Sequence, residues 1–142
     1  MKTYQDIKTK HSNAYNNAIE KNHVFFAFNQ EQLKEGINKL KRKDKNFIKG
    51  DKLVKIFGGG LLPQKNLDNF IKEIKEANTN NKKALKELRE EKKEAILYEL
   101  INHECFYTTE LEPVIDFFKG IYTAKVILKV YNDNKEEQQR DL

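Results

Sequence analysis

The stretch from Asp51 to Thr109 constrains the fold more than any other. A short apolar segment, Leu53-Val54-Lys55-Ile56-Phe57, runs into three glycines, Gly58, Gly59 and Gly60, and two helical patterns follow. The β-branched and aromatic content of that segment predicts a strand over Asp51 to Phe57. Alternation places Leu53, Lys55 and Phe57 on one face and Val54 and Ile56 on the other. Glycines after a strand suggest a phosphate loop. A Walker loop, however, needs a lysine and a hydroxyl after its second glycine, and here Leu61-Leu62-Pro63 follows. No helix opens directly from the glycines, so a dinucleotide fingerprint fails as well. They are expected to form a turn with positive φ or a close backbone approach.

The flanking sequence supplies helices. Ile7, Ala14 and Ala18 mark one face of a helix over 4–21, although Asn13, Asn16 and Asn17 lower its intrinsic propensity. His23-Val24-Phe25-Phe26-Ala27-Phe28 predicts a second, buried strand. Asn29 and Gln32 have capping-box spacing for the next helix, which carries Leu33, Ile37 and Leu40 on one face and Gly36 inside it. After the glycines, Asn66 is the expected N-cap of a helix with Leu67, Phe70, Ile71 and Ile74 on its apolar face. Asn78-Thr79-Asn80-Asn81 interrupts that pattern. A further helix is expected over about Lys82 to Phe106, its charged middle from Glu87 to Glu94 projecting past the core. Thr109 is placed to cap a short helix that Gly120 stops. Tyr122 to Tyr131 fits both periods, with helix slightly favoured, and the polar segment from Asn132 is expected to fray. The fold class is therefore α+β and predominantly helical, with about five helices and a small two-stranded sheet. A length of 142 residues suggests one globular domain over 1–131 and a polar tail over 132–142.

Composition bears on the surroundings and the partner. No apolar run approaches the length of a membrane span, and the N-terminus has no apolar signal region. The single cysteine, Cys105, excludes an intrachain disulfide framework, so the chain reads as cytoplasmic and without a membrane partner. Charge is unevenly spread. Residues 1–60 carry 13 Lys+Arg and 6 Asp+Glu, whereas residues 61–142 carry 14 and 16. From Lys39 to Lys55 there are eight positive side chains and two negative ones. Such asymmetry points to a polyanionic partner or to a simple lysine-rich coding bias. The candidate contacts are Lys39, Lys41, Arg42, Lys43, Lys45, Lys49, Lys52 and Lys55, with Phe47 and Phe57 as nearby aromatics for stacking. The alternative is a solvated loop.

The densest group of chemically versatile residues is Tyr98-Glu99-Leu100-Ile101-Asn102-His103-Glu104-Cys105-Phe106-Tyr107. Adjacent helical residues point about 100° apart, and neither H-E-x-x-H nor C-x-x-C is present, so no metal site is expected. Glu99 and His103 are four residues apart and can pair. Asn102, His103 and Glu104 are expected to form a structural polar cluster rather than a catalytic one. No catalytic residue and no cofactor is expected, with a hydrolase built on Glu99, His103 and Glu104 as the least favoured reading.

Three segments carry a resemblance: Phe26-Ala27-Phe28-Asn29-Gln30-Glu31-Gln32-Leu33-Lys34-Glu35-Gly36, then Asp51 to Gly60, then Tyr98-Glu99-Leu100-Ile101-Asn102-His103-Glu104. In that order they resemble a family of small proteins of bacterial phages and other mobile elements, over roughly residues 23–118. The resemblance implies, by analogy, a non-enzymatic inhibitor of a host defence nucleoprotein in the bacterial cytoplasm. An RNA-guided CRISPR nuclease or its guide RNA is the sharpest candidate partner. A stand-alone RNA- or DNA-binding accessory protein of phage replication is the alternative.

Overall fold

Three short strands and seven α-helices make up the described part of the chain, in the order one helix, one strand, one helix, two strands, five helices. The structure, a computed structural model, describes residues 2–47 and 51–142. The elements are α1 (Tyr4–Lys21), β1 (Phe25–Phe26), α2 (Gln30–Lys43), β2 (Leu53–Lys55), β3 (Gly60–Pro63), α3 (Leu67–Glu87), α4 (Glu91–Asn102), α5 (Cys105–Thr108), α6 (Glu112–Phe117) and α7 (Ala124–Arg140). The α+β, mostly helical class is as the periodicity predicts. The sheet, however, has three strands where two were expected, and the helices number seven rather than about five. The described residues divide into two compact units, one of Lys10–Thr79 and one of Met1–Thr9 with Asn80–Leu142.

In the Lys10–Thr79 unit, β3 lies between β1 and β2 and pairs antiparallel with both. It escapes sequence reading because glycine and proline bound it, and both are depleted in strands. Its register sets Leu61 opposite Phe25 and Lys55, and Gly60 opposite Phe26. Directly opposed residues share a face, so Phe25, Leu61 and Lys55 form one row. Helix α2 packs on that side, where the Phe25 ring fills the space a Cβ at Gly36 would need. This explains a glycine inside a helix, at a propensity cost of about 1 kcal/mol against alanine. The other face buries Leu62 with Ala18 and Phe70, and Val54, Ile56 and Ile74 pack around them.

The ends of α1 and α2 are closed by side chains and special backbone geometry. His23 at φ 58° terminates α1, with its N–H on Glu20 O (3.2 Å) and the Val24 N–H on Ile19 O (2.9 Å). That is the Schellman pattern with histidine in the place glycine usually takes. The strand expected over 23–28 shrinks to two residues as a result. The capping box forms: Asn29 Oδ1 accepts from the Gln32 N–H (2.8 Å), and Gln32 Oε1 accepts from the Phe28 N–H (2.8 Å). Asn66 does not cap α3. Its amide donates to the carbonyl of Asn22 (3.0 Å), a buried residue that also donates to Ala18 O (2.8 Å) and Glu73 (3.2 Å) and accepts from Asn69 (3.0 Å).

Helix α3 runs unbroken through Asn78-Thr79-Asn80-Asn81. Packing overrides propensity there, because Asn78 Oδ1 accepts from the Tyr15 hydroxyl (2.9 Å) and from His11 Nε2 (3.0 Å). The break falls later, between Glu87 and Glu91, where Leu88 is buried; the expected single helix over Lys82 to Phe106 becomes the end of α3, then α4 and α5.

In the unit of Met1–Thr9 with Asn80–Leu142, α4 packs against α5, α6 and α7. Its core joins Ile96 and Leu100 to Val114, Phe118, Ile127 and Val130, with Tyr4 and Ile7 of α1. Phe106 stacks on Tyr131 with centroids 5.0 Å apart. Thr109 does not cap a following helix but ends α5 at φ 65°. Residues 124–140 resolve as one helix, capped by Thr123, whose hydroxyl accepts from the Val126 N–H (3.3 Å). The segment from Asn132, expected to fray, is helical to Arg140 and tied back by the Gln139 amide donating to Phe106 O (3.3 Å).

Candidate nucleic-acid interface

The basic segment resolves into a helix end, a turn and a strand. Lys39, Lys41, Arg42 and Lys43 occupy the last turns of α2, all exposed. Three of them complement the negative pole of the helix dipole. Asp44 then ends the helix, its N–H on Leu40 O (2.8 Å) and its carboxylate accepting from the Asn46 N–H (3.0 Å). Lys65 sits 2.9 Å from the buried Asp44 carboxylate and holds it below the usual carboxylate range. One of the segment's two anions thus fixes the turn. Lys45 projects from that turn, and Lys52 and Lys55 are exposed on and before β2. Lys55 shares the sheet face on which α2 packs. Lys49 lies outside the described residues.

Of the two aromatics expected beside these cations, Phe47 is 7% exposed and belongs to the interior. Phe57 is 57% exposed, in the turn between β2 and β3. Phe26 and Phe28, read from the sequence as part of a buried strand, are exposed as well. A two-residue strand cannot cover them.

The polar cluster in the other unit centres on a different residue from those expected. Asn102 and Glu104 are exposed, and Glu104 takes φ 58°. Glu99 is the buried one, at 1% exposure. It accepts from the Tyr4 hydroxyl, Lys8 Nζ (3.4 Å) and the Asn102 amide (3.4 Å), and it stands 3.6 Å from His103 Nε2. Lys8 also lies over the Tyr98 ring, 4.2 Å from its centroid. The i,i+4 pair of Glu99 and His103 was legible; Tyr4 and Lys8, more than ninety residues away, carried no sequence signal. Through these contacts the Glu99 carboxylate ties α4 to α1. Burial raises the Cys105 thiol above its ordinary range, which makes it a poor nucleophile. Among the described residues no group of three or more His, Cys, Asp or Glu is arranged to hold a metal, and no helix is long and apolar enough to cross a membrane.

A half-buried tyrosine, Tyr122, and a buried one, Tyr4, make stability depend on alkaline pH. Burial pushes the Tyr122 phenol, which donates to Leu85 O (2.6 Å), up to about 12. Burial first, and then the bond to Glu99, raises Tyr4 further. A raised tyrosine binds its proton more tightly when folded, so its contribution is complete below the unfolded value near 10 and is lost as pH climbs through the folded one. Thermal melts should therefore hold level up to about pH 10 and fall between about 10 and 12. Tyr122→Phe should flatten that fall; an unchanged slope would show that Tyr122 takes no part.

No curated protein and no solved structure matches the chain. The model of a family of unknown function, DUF7659, matches residues 3–137, and the chain belongs to that family.

Proposed function

We propose that this is a non-enzymatic binding protein that engages RNA or DNA through the cations of α2, the following turn and β2. The observation that carries this reading is the partition of charge between the two units. The Lys10–Thr79 unit holds 14 Lys+Arg against 8 Asp+Glu, a net +6, whereas the remainder of the chain is at −1. Most of the positive excess of residues 1–60 thus falls within one structural unit, the one that contains the sheet. Lysines and an arginine displayed on rigid elements contact phosphates with affinity but little sequence preference.

The resemblance to mobile-element proteins extends the same surface to a second reading. A host defence nucleoprotein, such as an RNA-guided CRISPR nuclease in a bacterial cytoplasm, would be blocked by occupation of its guide or target channel. A pull-down from bacterial lysate, with and without nuclease treatment, separates the two. Nucleic acid captured directly and lost on nuclease treatment supports the first. A protein captured irrespective of treatment favours the second. Failure to bind single-stranded or duplex nucleic acid at low salt would overturn the first reading.

A further inference from the structure

We infer that Phe26, Phe28 and Phe57 form a stacking platform for the bases of single-stranded nucleic acid; this deepens the nucleic-acid reading above and rests on it. The three rings are 43%, 75% and 57% exposed and gather around one hairpin, the β2–β3 connection with its glycines. Each is seated on protein. Phe28 lies over Gly59, where a Cβ would stand 2.6 Å from the ring. Gly59 at φ 81° takes a backbone conformation that side-chain-bearing residues seldom adopt, which keeps that floor bare. The Phe28 N–H is held by Gln32 of the capping box, and the neighbouring Ala27 N–H donates to Gly59 O (3.2 Å). Phe26 leans on Gly60, its Cε1 3.2 Å from the place a Cβ would take. Phe57 is backed by the buried Phe70, with centroids 6.4 Å apart.

Large apolar groups held in place yet left in water mark a binding surface. The composition of this one indicates the occupant. Among the described residues of the unit, the exposed large hydrophobics are Phe26, Phe28, Phe57 and Ile71; three are aromatic and all three border the hairpin. Lys52 precedes its leading strand and Lys55 ends it, on the sheet face where α2 packs, in a unit of net +6. Single strands offer what that combination takes: base faces for the rings and phosphates for the lysines. A duplex keeps its base faces inside the stack, so the platform predicts a preference for single strands.

The test is fluorescence anisotropy with a labelled oligouridine and an RNA duplex of equal length, at one fixed salt concentration. The wild-type protein should bind the single strand at least about tenfold more tightly, and Phe28→Ala or Phe57→Ala should each remove about tenfold of that affinity while leaving duplex binding unchanged. Because Phe28 is mostly exposed, thermal melts of Phe28→Ala should match wild type. Phe28→Tyr should retain binding and Phe28→Leu should not, which separates ring stacking from simple apolar contact. Equal affinity for both RNAs, or a preference that survives loss of both rings, overturns the platform. Salt-dependent binding would in that case still uphold the basic surface. No binding to either RNA, nor to an oligothymidine or a DNA duplex of the same length, overturns both.

Discussion

The quadruple variant Lys41→Glu, Arg42→Glu, Lys43→Glu and Lys45→Glu should lose most of its affinity for nucleic acid. Four phosphate contacts to a single strand imply a slope of log K against log salt of about −2.8, at roughly −0.7 per contact. Affinity of the wild-type protein should then fall about fiftyfold over a fourfold rise in salt. Reversal removes these contacts and adds four repulsions, so a loss of at least about a hundredfold is expected at low salt. The position of the cations calls for a matched control. Lys41, Arg42 and Lys43 lie in the last turn of α2, where a negative charge opposes the helix dipole at about 0.3–1 kcal/mol each. The corresponding glutamine variant avoids that penalty. It should melt within about 2 °C of wild type and still lose most of the salt dependence. Full binding by the glutamate variant would reduce the segment to a solvated helix end.

Glu99→Ala should be among the most destabilising single substitutions in the chain. It strips the buried Tyr4 hydroxyl of its acceptor, leaves Lys8 and His103 without their shared anion and opens a cavity beside Leu100. Lys8 is partly exposed, so solvent screens its share. The combined cost is about 3 kcal/mol, or a fall of about 10 °C in Tm for a chain of this length. Glu99→Gln keeps the shape and an acceptor for Tyr4 and should cost less. The double variant with Tyr4→Phe should be less destabilised than the sum of its parts, because the two side chains share one bond. A Glu99→Ala protein that melts like wild type while losing a measurable turnover would instead place Glu99 in a catalytic site.

Local chemistry was legible in the residues themselves. The 3.6-residue apolar spacing marked α1, α2 and the first half of α3. Asn29 and Gln32 announced their capping box, and three glycines announced positive φ, which Gly58 (63°) and Gly59 (81°) adopt. Each of these depends on neighbours within about four positions, so the sequence alone specifies it. Charge skew is additive along the chain and was equally visible.

Only the tertiary structure decided what depends on distant partners. The central strand β3 exists because β1 and β2 supply its hydrogen bonds, against the depletion of strands in glycine and proline. Asn78 to Asn81 stay helical because Tyr15 and His11 bond Asn78. Glu99, one carboxylate among 22 acidic residues, is singled out by a tyrosine 95 positions away. Phe47 and Phe57 looked alike as aromatics in a basic segment, yet one is buried and the other faces water. Burial is a property of everything packed around a side chain, and no window of neighbouring residues contains it.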